Sequence, residues 1–125
     1  MKMILPNQSK GHYTPAVQSN GMLYVSGQLP IDKSGNITGD IVQQTKQALH
    51  NLEQILKETG ISKNDVVQCR LYIPDIAYWD SVNQEYANFF GEHKPARTIV
   101  PCRSLRSLHY NALIEIDAIA EMRKN

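Results

Sequence analysis

The sequence predicts an α+β fold with two helices packed on one face of a β-sheet. Three observations carry that prediction. Residues 41–58 repeat apolar side chains at helical spacing. Residues 22–28 and 66–73 read as strands. Strand-like and helix-like segments follow one another roughly as β-β-α-β-α-β-β, an order that suits helices segregated to one face of a sheet.

Taken in order, Met22-Leu23-Tyr24-Val25-Ser26-Gly27-Gln28 reads as a strand entered through a turn at Ser19-Asn20-Gly21. Pro30 ends it, because proline donates nothing to a sheet ladder. The segment before Ser19 carries a fainter strand signal. A turn follows at Lys33-Ser34-Gly35-Asn36. In the first helix Ile41, Val42, Thr45, Ala48, Leu49, Leu52, Ile55 and Leu56 form one apolar stripe. Asp40 suits its N-cap, Gln43 completes a capping box, and Gly60 supplies the stop.

In the strand at 66–73, Val67, Cys69, Leu71 and Ile73 are expected to face the core, alternating with a more polar face. A second helix is expected from about Ile76 to Phe90, capped by Asp75, with Trp79, Val82, Tyr86 and Phe90 on its core side. Pro95 breaks the chain. A short strand at 97–100 ends at Pro101, and residues 112–121 form the last strand.

The chain has 125 residues, 42% hydrophobic and 20% charged, which fits a single domain over residues 1–125. A formal net charge of +1 gives no electrostatic case for nucleic acid or an anionic membrane. The apolar runs are too short to span a bilayer, and MKMILPNQSK lacks the core and cleavage site of a signal peptide. A cytoplasmic protein is expected, with Cys69 and Cys102 as free thiols.

The polar residues of the strands are the candidates for chemistry. Glu115 and Asp117 share one face of the last strand, and Ile114, Ile116 and Ala118 the other. The pair is either a solvated sheet face or a cleft in which one carboxylate orders a water as general base. Arg97 follows the rigid Pro95-Ala96 approach. Its guanidinium is either a surface cation or a two-pronged donor for a carboxylate. Ser26-Gly27-Gln28 is either a simple bulge or a point of close backbone approach by a ligand. His12, His50, His93 and His109 show no HxH or HExxH spacing, so no metal site is expected. There is no phosphate loop, Walker motif or GxSxG, and no Ser or Cys sits in a nucleophile motif.

Five stretches, in order, resemble the Rid (reactive intermediate deaminase, RidA/YjgF-like) family. They are Gly11-His12-Tyr13-Thr14-Pro15-Ala16-Val17, Leu23-Tyr24-Val25-Ser26-Gly27-Gln28-Leu29-Pro30, and Gln47-Ala48-Leu49-His50-Asn51-Leu52. The fourth is Val82-Asn83-Gln84-Glu85-Tyr86 with Phe89-Phe90, running on into Pro95-Ala96-Arg97-Thr98. The fifth is Ile114-Glu115-Ile116-Asp117-Ala118-Ile119-Ala120. The resemblance implies a chorismate mutase-like fold with a mixed sheet, a homotrimer with sites between subunits, and hydrolysis of 2-imino acids such as 2-iminobutanoate and 2-iminopropanoate without a cofactor. It also implies roles: Arg97 grips the substrate carboxylate, Glu115 positions water, and Tyr13 serves the reacting atoms. Ser26, Gly27, Asn83 and the backbone near Ile99 contact substrate.

Two departures stand out. Ile99 occupies a position where members often have cysteine. Arg103-Ser104-Leu105 is repeated at once as Arg106-Ser107-Leu108, either a tolerated loop insertion or a change to the cleft rim that brings Arg103 or Arg106 to an anionic substrate. Two other readings follow from the same resemblance: a non-catalytic trimer binding small carboxylates, and RNA cleavage, which the near-neutral charge opposes.

Overall fold

The structure, a computed structural model, describes residues 1–102 and 110–122. Its strands are β1 (Lys2–Ile4), β2 (Ala16–Ser19), β3 (Met22–Gln28), β4 (Val66–Ile73), β5 (Ala96–Pro101) and β6 (Glu115–Glu121), and its helices α1 (Ile41–Glu58) and α2 (Trp79–Phe90). Short 3-10 turns at Lys63–Asp65 and Ile76–Tyr78 precede β4 and α2.

The strands form one mixed sheet in the order β1-β2-β3-β6-β4-β5. β2 and β3 form a hairpin whose loop residues, Asn20 and Gly21, have φ of 50° and 77°. Two positive φ values give the turn a twist that matches the strands. β6 inserts antiparallel between β3 and β4, while β4 and β5 run parallel. The connections through α1 and α2 therefore both cross over in one direction along the sheet. Right-handed crossovers of that kind put both helices on the same face. α1 packs there on β3, β6 and α2, and the core between the layers includes Leu23, Leu52, Leu56, Leu71, Ile73 and Ile116, all essentially fully buried.

α1 occupies the expected residues. The Asp40 carboxylate accepts from the Gln43 N–H at 3.0 Å, and the Gln43 side chain accepts from the Asp40 N–H at 3.0 Å. Asp40→Ala removes the first of these bonds. It is expected to lower stability by about 1 kcal/mol, read as a lower urea midpoint with unchanged slope.

Four expectations are corrected. β1 is an additional strand. α2 begins at Trp79, because Asp75 accepts from Ala77 N–H at 2.9 Å and caps a 3-10 turn instead. Val67 is 45% exposed, and Val66 is the buried residue. A register shift between Val66 and Gln68 adds one residue to β4 opposite β6 and turns Val67 outward. β5 and β6 run 96–101 and 115–121 rather than 97–100 and 112–121. Pro101 is tolerated because β5 is a sheet edge. No helix among the described residues is long and apolar enough to cross a membrane.

Candidate functional site

Arg97 sits on β5 opposite Cys69 of β4, and Cys69 is fully buried. Side chains in that row point to the helix layer. There the Arg97 Nη1 donates to Asn83 Oδ1 at 2.9 Å. The guanidinium carbon lies 4.8 Å from the Tyr86 ring centre and 5.6 Å from that of Trp79. Trp79, Asn83 and Tyr86 recur at i, i+4 and i+7, so one stripe of α2 holds the arginine. This corrects the core reading of Trp79, which is 38% exposed. Among the described residues no carboxylate pairs with Arg97. The guanidinium opens on a cavity of about 460 Å³ that Asn83, Tyr86, His93, Lys94 and Pro95 also line.

Burial pushes the Cys69 thiol up to about 11, opposed by its contact with Tyr86 and by nearby Arg97. Cys69 is therefore a thiol at neutral pH and a poor nucleophile. Burial beside that thiol also raises the Tyr86 hydroxyl. The pair forms an uncharged floor under the guanidinium.

Glu115 opens β6 and pairs with Tyr72 on the opposite, open face of the sheet; its neighbours Ile114 and Ile116 are fully buried. Across β3 the register slips between Val25 and Gln28, so Ser26 and Gly27 together face the single residue Asp117. The bulge expected at Ser26-Gly27 is thus real, and it also makes room. A Cβ on Gly27 would lie 2.1 Å from Glu115 Oε2. Ser26 ties this bulge to the chain before β2: its N–H donates to Pro15 O at 2.9 Å and its hydroxyl to Thr14 O at 2.6 Å. Tyr13 follows from that anchor. The Ser9 hydroxyl lies within hydrogen-bond reach of Tyr13 O, at 2.5 Å, and of Gly11 O, at 3.0 Å. Tyr13, Ser26, Gly27 and Glu115 line one cavity of about 480 Å³.

The two carboxylates of β6 differ in their surroundings. Asp117 is engaged by Arg70 Nε at 3.0 Å and by the Tyr72 hydroxyl at 3.2 Å. Burial is the main cause of the raised Tyr72 hydroxyl, with the negative Asp117 second. Glu115 is the carboxylate that reaches the cavity.

The structure therefore gathers these residues into two separate groups. Arg97 and Asn83 form one on the helix side of the sheet. Tyr13, Ser26, Gly27 and Glu115 form the other on the open side, and no described cavity holds both sets. Ile99 pairs with Leu71 and packs its side chain against the core, leaving its backbone on the edge strand. Arg103 and Arg106 lie outside the described residues. Among the described residues no three His, Cys, Asp or Glu side chains gather as metal ligands. The Trp79–Tyr86 cage escaped sequence reasoning, although its spacing with Asn83 was readable. Tyr110, Leu29 and Ile31, which also line the Glu115 cavity, were not foreseen at all.

The sequence model of the Endoribonuclease L-PSP family matches residues 5–122. A RutC family protein of Pyrococcus horikoshii is 43% identical over 112 residues, spanning 88% of this chain and 86% of that protein. The 3-aminoacrylate deaminase RutC of Acinetobacter baylyi is 35% identical over 112 residues, with the same 88% and 86% coverage. The crystal structure of Escherichia coli TdcF with bound serine superposes with a TM-score of 0.85 at 29% identity, covering 92% of this chain and 91% of that one.

Proposed function

The chain belongs to the Endoribonuclease L-PSP family, whose RutC- and Rid-type members share its chorismate mutase-like α+β fold, and from that premise we propose that it hydrolyses 2-imino acids to 2-keto acids and ammonia. The substrates are 2-iminobutanoate, 2-iminopropanoate and their enamine tautomers. The observation that carries the reading is the state of Arg97: fixed by a neutral amide over two aromatic rings, with no carboxylate partner among the described residues. A guanidinium held this way is preorganised for a carboxylate from outside the chain.

The two residue groups are half-sites that become one site in a homotrimer, where Arg97 meets Glu115 of the partner subunit across a cleft. Arg97 binds the substrate carboxylate through two parallel hydrogen bonds, and Asn83 keeps the fork in orientation. The imine carbon then faces a water held by Glu115, with Tyr13 beside the nitrogen. Glu115 takes a proton as the water oxygen bonds to carbon and the C=N electron pair moves to nitrogen. The carboxyl group returns that proton to nitrogen. Glu115 then relays the hydroxyl proton to the nitrogen, the C–N bond breaks with its electron pair on nitrogen, and ammonia leaves as the keto group forms. Residues of the chain suffice for every step. A cytoplasmic location belongs to the same proposal, since free thiols at Cys69 and Cys102 fit a reducing compartment.

The test generates 2-iminobutanoate with a threonine dehydratase and follows its decay in competition with semicarbazide. The wild-type protein is expected to accelerate hydrolysis; decay equal to buffer overturns the reading. Mixing Arg97→Ala subunits with Glu115→Gln subunits tests the shared cleft. Random assembly restores both groups at about a quarter of the interfaces, so activity is expected to return on mixing two inactive proteins. The bound serine of TdcF favours one other reading, a trimer that only captures small carboxylates, and this would bind 2-ketobutanoate without turnover. RNA cleavage, suggested by the family's name, is opposed by the net charge of +1.

A further inference from the structure

We propose that Tyr110, with Leu29 and Ile31, forms an apolar subsite that selects 2-imino acids bearing long aliphatic or aromatic side chains. The proposal rests on the deaminase reading and names the substrate class of the same site. These three residues line the cavity that holds Tyr13, Gly27 and Glu115. The substrate geometry assigns the wall. The imine carbon has to lie by Glu115, and its carboxylate has to point toward an arginine. Its third substituent is then left against the remaining lining, Lys10, Gly11, Leu29, Ile31 and Tyr110, of which the last three carry the apolar and aromatic side chains.

The wall is built rather than incidental. Tyr110 is 68% exposed, a large ring offered to the cavity rather than packed into the core. Both Tyr110 and Asn111 have φ of 58°, a left-handed backbone that side chains other than glycine adopt at a cost. Just downstream the chain is fastened: Ala112 is fully buried, and the Leu113 N–H donates to Gln44 Oε1 at 2.9 Å. The opposite wall is fastened by the same helix. Asn51 Nδ2 donates to both Leu29 O and Ile31 O at 2.9 Å. Gln44 and Asn51 are seven residues apart on α1, so one helix face holds the backbone beside both sides of the subsite. A pocket held in shape by its support discriminates by fit, and each methylene it contacts is worth roughly tenfold or more.

The test measures kcat/KM for imines made from leucine, phenylalanine and alanine by an L-amino-acid oxidase, with semicarbazide as competing trap. The wild type is expected to favour the leucine- and phenylalanine-derived imines over the alanine-derived one by about tenfold or more. Tyr110→Gly relaxes the left-handed backbone and removes the ring, so it folds and is expected to lose that ratio. Tyr110→Phe keeps the ring and is expected to keep the ratio. A wild type that prefers the alanine-derived imine, or a ratio unchanged in Tyr110→Gly, overturns the subsite and leaves the deaminase standing. No acceleration of any imine overturns both.

Discussion

Arg97→Ala is expected to bring 2-iminobutanoate hydrolysis back to the rate in buffer. Truncating one partner of a desolvated, hydrogen-bonded charge pair typically costs about 2–5 kcal/mol, a loss of roughly 30- to 4000-fold in kcat/KM. The loss should fall on both parameters: KM rises because the carboxylate loses its partner, and kcat falls because the imine carbon is no longer held beside the water. Arg97→Lys separates charge from geometry. A lysine keeps the cation but not the planar fork, and it cannot take the place of a guanidinium stacked 4.8 Å from Tyr86 and bonded to Asn83. It is expected to recover only a small part of the rate. The fold should survive either change, since Arg97 is only partly buried and lies on an edge strand. An unchanged melting curve alongside lost activity supports the assignment. Full activity in Arg97→Ala rules out the carboxylate grip.

How far such a site could be read in advance depends on how local its determinants are. α1 was legible because its stripe, cap and capping box all lie within residues 40–58. β1 was not, since only Ile4 of its three residues is buried and little periodicity can show. Val67 was assigned to the core by an alternation of two that cannot register an inserted residue, and the bulge exists only relative to β6. Trp79 looked like core for a similar reason: helical spacing identifies the inner stripe of α2 but not the arginine that β5 brings beneath it. Arg97, Glu115, Tyr13, Ser26, Gly27 and Asn83 were all named from motifs. That they divide between two faces of the sheet follows from β6 pairing between β3 and β4. No local pattern encodes a sheet order.

Gly27→Ala is expected to come close to the effect of Glu115→Gln without touching a reacting group. The argument is steric. The added Cβ would lie 2.1 Å from Glu115 Oε2 and 2.8 Å from its carboxyl carbon, so the carboxylate has to leave its place. Gly27 is not among the glycines with positive φ, so alanine fits the backbone there and the bulge can persist through the Ser26 bonds to Thr14 and Pro15. The damage should therefore concentrate on the water-positioning role proposed for Glu115. Positioned general bases contribute about 10²- to 10⁴-fold, and displacement of the carboxylate should forfeit most of that in kcat. On the proposed reading Arg97 holds the substrate carboxylate on the other half-site, so KM should change far less. This contrast with Arg97→Ala is the discriminating readout: one variant loses binding and rate, the other rate alone. A Gly27→Ala protein with wild-type kcat would show that Glu115 works from some other position than the one it takes against β3.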